Sequence, residues 1–381
     1  MKKELELYIH IPFCIRKCAY CDFLSAPSDE KTRDRYIKAL IQEIKASKEK
    51  YEEYFVSTVF IGGGTPSILT SGQISAVFRA IYQSFEIQKD AEITIEVNPG
   101  TASKNKIQTW KKIGINRLSI GLQSVNNDEL EMLGRIHSYE QFLDTFHMAR
   151  EEGFSNINVD LISAIPGQTL ESWCKTLRTI AELSPEHISA YSLIIEEGTP
   201  FYEKYGEDNC IEESGWLPDE DTERKIYEET ENILLEYGYK RYEISNYAKT
   251  GYKCKHNCGY WKRTEYIGFG IGAASLIENR RFNVISDLNQ YMESKDSVYE
   301  NVEILSTEEE MEEFMFLGLR MMEGVSKMTF EQSFGKSIEA VYGEVLKNLE
   351  KKQLLDISKD RVRLSKHGID VSNYVFEQFL F

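Results

Sequence analysis

Apolar segments of strand length alternate with segments of helical periodicity from residue 5 to residue 245. The predicted strands are 5–11, 56–61, 91–97, 116–121, 156–162 and 187–194. The predicted helices are 31–50, 71–84, 103–113, 127–152, 169–183 and 219–237. A strand followed by a helix, repeated six times, predicts a parallel sheet with right-handed crossovers. Because a closed TIM barrel needs eight such units, we predict an α/β fold with an open, partial (β/α)6 TIM-like barrel.

The pattern changes after residue 238. Residues 242–274 are rich in Tyr and Gly, and we expect them to pair with the barrel edge and line its cavity. Helices and a short hairpin then predict a C-terminal α+β, winged-helix-like unit, at 307–323, 327–333, 337–352 and 355–365. This unit has more Asp and Glu than Lys and Arg, which favours a packing or partner surface over DNA binding. The predicted domains are 1–245, 246–304 and 305–381.

Charge and hydropathy narrow the classes of function. The formal net charge of −17 argues against nucleic-acid binding, because phosphate contacts need a positive surface. No apolar run approaches about 18 residues, so we expect no stable membrane insertion. The first residues, MKKELELYIHI, lack the apolar region and cleavage site of a secretory signal. We therefore expect a cytoplasmic protein, in which clustered cysteines more often bind metal or act in redox chemistry than form disulfides.

Three of the seven cysteines lie directly after the first predicted strand. Cys14, Cys18 and Cys21 have three and two residues between them. Three thiolates can hold an iron–sulfur cubane and leave its fourth iron open to a small ligand. Zinc is the alternative, with His10 or Asp22 as fourth ligand, although this spacing lacks the paired CxxC form of structural zinc sites. Two isolated cysteines are interpreted as structural residues: Cys174 and Cys210.

Polar or glycine-rich sequences follow four of the predicted strands where each strand ends. They are Gly62-Gly63-Gly64-Thr65-Pro66, Glu96-Val97-Asn98-Pro99, Gly121-Leu122-Gln123-Ser124 followed by Gly134-Arg135, and Asp160. Consecutive glycines let a ligand approach the backbone and expose N–H groups to a carboxylate or phosphate, although a plain turn is equally consistent with them. Because the carboxyl ends of parallel strands meet at one edge, we expect one site at the barrel mouth.

The cysteine spacing, with an aromatic residue before the last cysteine, resembles the signature of radical S-adenosylmethionine (SAM) proteins. The sequences YIHIPFC, GGGTPS, EVNPG, GLQS and HNCGYW resemble one branch of that family. The branch holds the oxygen-independent coproporphyrinogen III oxidases and their haem-chaperone relatives. The resemblance covers nearly the whole chain, and it implies a partial (β/α)6 radical SAM barrel, in agreement with the alternation of strands and helices.

The resemblance also implies cofactors and the residues that hold them. Cys14, Cys18 and Cys21 would hold a [4Fe–4S] cluster, whose fourth iron would be chelated by SAM. The positions that match contacts of this first SAM are Tyr8, Gly63 and Glu96. The positions that match a second SAM of the oxidases are Tyr20, Gly64, Thr65, Gln123, Arg135 and Asp160, and Ile194 matches a further backbone contact. An electron donor such as a flavodoxin or ferredoxin would be a partner.

Two features favour the haem-chaperone branch over the oxidases. The oxidases carry a fourth cysteine two residues after the third, where this chain has Phe23, and they carry an extension before the first strand. The sequence HNCGYW matches a motif of the chaperone relatives that is associated with haem, so His256 is a candidate axial ligand, with Tyr260 and Trp261 beside the porphyrin. Two cysteines of the same segment are alternative thiolate ligands: Cys254 and Cys258.

Three functions therefore stay open at the level of the sequence. The favoured one is a haem chaperone that binds a [4Fe–4S] cluster, SAM and haem and passes haem to an acceptor protein. The second is a radical SAM enzyme of porphyrin metabolism, which would generate a 5′-deoxyadenosyl radical to decarboxylate coproporphyrinogen III. The third is a zinc-stabilised α/β protein without redox function.

Overall fold

The computed structural model of the protein describes residues 2–206, 217–294 and 298–381. Six parallel strands follow one another in the sheet. They are β1 (Lys3–Ile11), β4 (Tyr54–Gly63), β5 (Ile87–Val97), β6 (Arg117–Gln123), β7 (Ile157–Ser163) and β8 (His187–Ser192). A parallel pair of two-residue strands, β2 (Phe13–Cys14) and β3 (Ala26–Pro27), flanks the cysteine loop. Cys210, which the sequence analysis interprets as a structural residue, lies outside the described residues.

The two faces of the barrel strands carry different side chains, as β1 shows most clearly. In β1, the odd-numbered residues from Leu5 to Ile11 are fully buried against the surrounding helices. The even-numbered residues of the same strand, Glu6, Tyr8 and His10, are polar and lie on its other face. Because successive side chains of a strand point to opposite faces, these polar residues face the inside of the barrel. The barrel therefore has an apolar outer layer and a polar lumen.

Helices cover the outer face of the barrel and begin at side-chain caps. They are α1 (Glu30–Ala46), α2 (Ser71–Ser84), α3 (Lys104–Lys112), α4 (Asn127–Met132), α5 (Tyr139–Glu151), α6 (Leu170–Glu182), α7 (Pro200–Tyr205) and α8 (Glu220–Glu236). Short 3₁₀ turns lie at Glu49–Tyr51 and Pro66–Ile68. Thr70 and Ser138 both form capping boxes with the residue three positions later, which fixes the starts of α2 and α5.

Both edges of the open barrel carry additional strands. β10 (Asn246–Ala248) pairs antiparallel with β8 and also with β9 (Lys240–Arg241). At the other edge β11 (Tyr266–Phe269) pairs parallel with β1. An antiparallel extension then follows, through β12 (Ala274–Ile277), β13 (Arg280–Val284) and β14 (Tyr299–Ile304). Two helices belong to this region: α9 (Lys255–Trp261) and α10 (Leu288–Glu293).

The C-terminal unit has a separate hydrophobic core built around Phe330 and Tyr342. Its helices are α11 (Thr307–Gly318), α12 (Lys327–Phe334), α13 (Ile338–Lys351), α14 (Lys366–Asp370) and α15 (Ser372–Glu377). Its three-stranded sheet contains β15 (Val325–Ser326), β16 (Leu355–Ile357) and β17 (Arg361–Leu364). Among the described residues, no helix has both the length and the apolar character needed to cross a membrane.

The predicted fold class is confirmed, with two corrections to its elements. The segment predicted as one helix at 127–152 is two helices, because Gly134 adopts a positive φ of 74° and Ser138 caps a new helix. The last predicted strand, 187–194, ends at Ser192, so Ile194 lies beyond it. The predicted hairpin at 355–365 forms, and β15 adds a third strand to it.

Candidate functional site

The three clustered cysteines lie on a loop that the rest of the barrel mouth holds in place. Cys14 ends β2 and is buried, and the loop returns through β3. Inside the loop, the backbone N–H of Ala19 donates to Leu133 O at 3.1 Å, and Ala19 O accepts from Phe201 N at 3.0 Å. Arg16 donates to Gly134 O at 2.7 Å. These contacts fix the position of the loop over the lumen.

The thiols are close enough to influence one another electrostatically. Burial raises the pKa of Cys14 and of Cys21, and the neighbouring Cys18 raises both further. Thiols that are mutually repulsive when ionised need a cation to become thiolates, which is what a cluster of iron ions supplies. The donor set thus fits a [4Fe–4S] cluster.

The two side chains considered as a fourth ligand for zinc have different surroundings, and the charge of Asp22 contributes to the raised pKa of the adjacent Cys21. His10 Nδ1 is hydrogen-bonded to the Tyr8 hydroxyl at 3.0 Å and His10 Nε2 to Leu24 O at 2.9 Å, so both ring nitrogens have partners. Asp22 is exposed. Within the described part of the chain, no three His, Cys, Asp or Glu side chains form a site for a single metal ion.

Arg135 connects the cysteine loop to the strand ends. Its Nη1 lies 3.6 Å from Cys18 Sγ, and its Nη2 donates to Asn98 Oδ1 and Gly121 O, each at 2.7 Å. The Tyr20 hydroxyl is a further partner. Arg135 Nε is buried and has no hydrogen-bond partner among the described residues. Arg135 therefore places a buried positive charge beside Cys18 and connects the cysteine loop to Asn98 and Gly121.

The glycine-rich turn does not expose its N–H groups, which corrects the expectation from the sequence. Gly63 N donates to Glu96 Oε2 at 3.0 Å, Gly64 N to Ile11 O at 2.8 Å and Thr65 N to Phe13 O at 2.7 Å. A Cβ at residue 64 would lie 2.7 Å from Phe13 O, which explains its glycine. The turn therefore fixes the segment that leads into Cys14, and its donors are already used.

Two carboxylates face the lumen below the cysteine loop. Glu96 and Asp160 interact, and burial together with Asp160 raises the pKa of Glu96 to about 8. Burial also raises the pKa of Asp160, although that carboxylate accepts hydrogen bonds from Ser119 (3.0 Å) and Asn158 (2.8 Å). Two neighbouring buried carboxylates favour a cationic guest, and SAM carries an ammonium and a sulfonium group. This side of the lumen therefore fits SAM.

The other predicted ligand contacts are spread around the same mouth. Tyr8 lies in the lumen with its ring 6.4 Å from that of Phe60. Gln123 ends β6 with a positive φ of 78°, a strained backbone that is typical of functional positions. Tyr20 packs beside Phe201, whereas the side chain of Ile194 is 66% exposed. The structure thus brings most of these residues to one mouth, and Ile194 stands at its outer rim.

His256 lies at the opposite end of the barrel from the cysteines. It is 3% exposed; its Nδ1 is 2.6 Å from Thr58 Oγ1 and its Nε2 is 3.0 Å from the Tyr260 hydroxyl. Its ring stacks on Phe60 at 5.1 Å. Both ring nitrogens have partners, and no edge is open to a porphyrin. The surroundings of His256 therefore do not fit a haem ligand. Haem ligation by His256 stays a prediction from the resemblance.

The neighbours of His256 do not form a haem pocket either. The Tyr260 ring makes an edge contact with Tyr266 at 4.7 Å, and Trp261 packs under the Arg320 guanidinium at 4.4 Å. Burial raises the pKa of Cys254 strongly and that of Cys258 to about 11, so both are neutral thiols at pH 7. Cys254 is also 4% exposed and donates its thiol proton to Glu92, so the structure offers it no open approach to a porphyrin.

A ring of polar residues in the lower lumen was not foreseen from the sequence. Each barrel strand contributes one member, and the ring contains Glu6, Thr58, Glu92, Arg117, Asn158 and His187. We call these six residues the polar floor. The signal was available, since a polar residue interrupts each apolar strand at an inward-facing position.

Comparisons with known proteins agree with this architecture. Residues 8–180 match the Radical SAM superfamily and residues 305–371 match the HemN C-terminal domain. A Lactococcus lactis relative named heme chaperone HemW is 36% identical over 381 residues, covering 100% of this chain and 98% of the relative. A Bacillus subtilis relative of the same name is 38% identical over 378 residues, covering 98% of each chain.

A solved structure extends the similarity to three dimensions. Coproporphyrinogen III oxidase (HemN) from Escherichia coli, described as a radical SAM enzyme, matches with a TM-score of 0.85 and 25% identity. The match covers 99% of this chain and 90% of the oxidase. Identity above 30% over essentially the full length of the relatives shows the family. The chain belongs to the radical SAM superfamily and, within it, to the family of the heme chaperones named HemW.

Proposed function

We propose that this protein is a haem chaperone that binds a [4Fe–4S] cluster, SAM and haem and delivers haem to an acceptor protein. The observation that carries the proposal is the full-length similarity to relatives named heme chaperone HemW. Phe23, which is 60% exposed and takes the place of the oxidases' additional cysteine, supports the same branch. A haem-accepting partner and a cytoplasmic location are parts of this proposal.

Membership of the radical SAM superfamily implies a [4Fe–4S] cluster and SAM, and a bound cluster would supply an electron to SAM. The residues that would hold the cluster are Cys14, Cys18 and Cys21. The Arg135 guanidinium lies 3.6 Å from Cys18 Sγ and donates to Asn98 Oδ1. Arg135 thereby orients the cysteine loop over the lumen. An electron donor such as a flavodoxin or ferredoxin would supply the reducing equivalent.

SAM would occupy the upper lumen, where Glu96 and Asp160 offer acceptors to its ammonium group and ribose hydroxyls. The proposed contacts of the first SAM are Tyr8, Gly63 and Glu96. The proposed contacts of a second SAM are Tyr20, Gly64, Thr65, Gln123, Arg135, Asp160 and the backbone of Ile194. Because the N–H groups of Gly63 and Gly64 already have partners, these two glycines would contact SAM through close approach.

The division at residues 245 and 304 stays a prediction. The separate hydrophobic core of the C-terminal unit supports a boundary near 305. Residues 246–304 contribute strands to both edges of the barrel sheet, so we propose that they work together with the barrel.

Anaerobic reconstitution with iron and sulfide, followed by separate additions of SAM and haem, tests the proposal. We expect cluster absorbance, a change of the cluster spectrum with SAM, and a haem Soret band that passes to an acceptor haemoprotein. Absence of haem binding by cluster-loaded protein would contradict the chaperone function. Triple substitution of the three cysteines by Ala is the matched control for the cluster.

A second candidate is oxygen-independent oxidation of coproporphyrinogen III. The observation that favours it is the TM-score of 0.85 to the Escherichia coli oxidase. The two functions differ in products: an oxidase would convert coproporphyrinogen to protoporphyrinogen with formation of 5′-deoxyadenosine, whereas a chaperone would not. Substrate-dependent formation of both products would favour the enzyme over the chaperone.

A further inference from the structure

Members of the polar floor are direct neighbours on two sides of the barrel. Glu6 pairs in register with Thr58, and Thr58 pairs with Glu92. On the far side, Asn158 pairs in register with His187, and their side chains are hydrogen-bonded at 2.6 Å. Each of the six strands places a polar side chain in the lower lumen. These side chains need hydrogen-bond partners, because a buried polar group without a hydrogen bond is costly.

Helix α9, which carries the HNCGYW sequence, supplies many of those partners. Glu92 Oε1 accepts from the backbone N–H groups of Lys255 at 3.0 Å and His256 at 3.3 Å. A carboxylate at the N-terminus of a helix satisfies its free N–H groups and interacts favourably with its dipole. Cys254 Sγ donates to the same oxygen at 3.4 Å. The start of α9 is therefore attached to β5.

Close packing against β1 explains why residue 259 of the HNCGYW sequence is a glycine. A Cβ on Gly259 would collide with the carboxyl group of Glu6, which lies directly against the Gly259 backbone. Burial raises the pKa of Glu6 to about 9, so this carboxyl group is protonated at pH 7. The helix approaches β1 as closely as it does only because residue 259 has no side chain.

His256 is the residue through which α9 contacts the barrel interior. It bridges Thr58 of β4 and Tyr260 of its own helix, at 2.6 Å and 3.0 Å. Its Nδ1 also lies 3.7 Å from Glu6 Oε2. Although that distance is typical of an ion pair, burial and the nearby Arg117 lower the pKa of His256 to about 3. The contact with Glu6 therefore joins two neutral groups.

The end of α9 contacts the C-terminal unit. Trp261 and Cys258 pack beside Tyr242 and Met321, and Arg320 lies over the Trp261 ring at 4.4 Å. The helix thus has the barrel on one side and the C-terminal unit on the other. It occupies the position of a plug between them.

We propose that helix α9 is a structural plug of the barrel floor, and that His256 holds the plug in place instead of ligating haem in the folded protein. The role of α9 as a plug is independent of the proposed function. The statement about His256 rests on haem binding and places the axial ligand at another residue. The HNCGYW sequence then serves the architecture of the barrel by covering the polar floor.

Hydrogen–deuterium exchange of the full chain without haem tests the plug alone. His256→Asn keeps a polar group near Thr58 but loses the contact with Tyr260 and the ring stacking on Phe60. We expect the amides of 255–261 and of the facing part of β4 to exchange about tenfold faster or more in this variant. His147→Asn, at an exposed histidine of α5, is the matched control. Unchanged exchange in His256→Asn would overturn the plug.

Haem titration of the same proteins tests the statement about His256. We expect His256→Asn to bind haem with the wild-type Soret position and ligand-field bands, because its amide replaces no iron ligand. Loss of the wild-type spectrum in a variant whose circular dichroism is unchanged would identify His256 as the ligand and overturn the inference. If His256→Asn does not fold, His256→Gln, whose amide reaches the position of Nε2 near Tyr260, gives the same comparison.

The two hypotheses fail in different ways. Wild-type protein that binds no haem contradicts the proposed function, while the exchange data still decide about the plug. Slower or equal exchange in His256→Asn contradicts the plug, whatever the result with haem.

Discussion

At the scale of single residues, Arg135 connects several parts of the mouth. Its guanidinium contacts Cys18, Asn98 and Gly121, which belong to the cysteine loop and to the ends of two strands. A planar fork with several donors can make these contacts together, and an ammonium group cannot. Arg135 therefore links the metal ligand to the lumen by geometry as well as by charge.

Arg135→Lys should keep the charge but lose the shared contacts. We expect cluster content after anaerobic reconstitution to fall by about half or more, because the loop loses its link to Asn98 and Gly121. Iron and sulfide analysis per chain is the measurement. Arg178→Lys, at an exposed ion pair with Glu236, is the control, and equal cluster content in both variants would contradict this role.

Glu96 should make the binding of SAM depend on pH. Its pKa is raised to about 8, so in the free protein it is neutral below that pH and ionised above it. An ionised carboxylate attracts a cation, and the sulfonium group of SAM keeps its charge over this range, so we expect the Kd for SAM to decrease about tenfold between pH 6.5 and 9. In Glu96→Gln the Kd should be higher and nearly independent of pH. An identical pH profile in the variant would exclude Glu96 as the contact.

At the scale of elements, the break between α4 and α5 is where sequence and structure differ most. The helical periodicity of 127–152 continues through the break, so the pattern predicts one helix. Gly134 and the capping box at Ser138 signal the interruption, but both are also compatible with a continuous surface helix. The interruption matters because Gly134 O and Arg135 hold the cysteine loop.

Gly134→Ala should loosen the cysteine loop. Residue 134 has a φ of 74°, and a Cβ there would lie 3.2 Å from Ala19 N. We expect a loss of about 1–2 kcal/mol in the free energy of unfolding, together with lower cluster content. Chemical denaturation and iron analysis are the measurements.

Gly343→Ala is the matched control for this substitution. Gly343 lies in α13, and a Cβ there would meet no atom within 4 Å. We expect this variant to be as stable as the wild type or slightly more stable. A loss in Gly343→Ala equal to that in Gly134→Ala would contradict a specific role for Gly134.

The sequence predicts the mouth of the barrel far better than its floor. Cys14 and Arg135 follow strand ends, and parallel strands bring their ends together, so convergence follows from topology. Glu6 and His256 belong to segments 250 residues apart whose contact depends on how α9 enters the barrel. No local pattern encodes that entry, so the buried position of His256 could be seen only in the structure.

At the scale of the whole molecule, the C-terminal unit docks on the barrel through charged and aromatic contacts. Glu313 of α11 is 6% exposed and accepts from Arg263 Nε at 3.0 Å and Arg281 Nη1 at 2.6 Å. Met322 N donates to Tyr242 O at 2.9 Å nearby. The same face contacts the end of α9, so the plug and the C-terminal unit support each other.

Glu313→Ala should weaken this docking. Removing the carboxylate leaves Arg263 buried without its main partner, whereas Arg281 is about one third exposed and is screened by water. We expect a loss of about 2–3 kcal/mol in the free energy of unfolding and faster proteolysis near residue 305.

Glu323→Ala is the control for the docking experiment. Glu323 pairs with Lys262 and Arg361 at the surface, at 3.7 Å and 3.9 Å, and should lose less than about 0.5 kcal/mol. Equal losses in the two variants would argue against a specific role for Glu313.

The central claim is that three cysteines at the mouth of a polar lumen hold a [4Fe–4S] cluster whose open iron faces SAM. Electron paramagnetic resonance of the anaerobically reconstituted, reduced protein, recorded before and after addition of SAM, tests it most directly. We expect a reduced [4Fe–4S] signal whose g-values change with SAM, and no such signal when Cys14, Cys18 and Cys21 are replaced by Ala. A wild-type protein without a cluster signal, or with a signal that SAM leaves unchanged, would contradict the account.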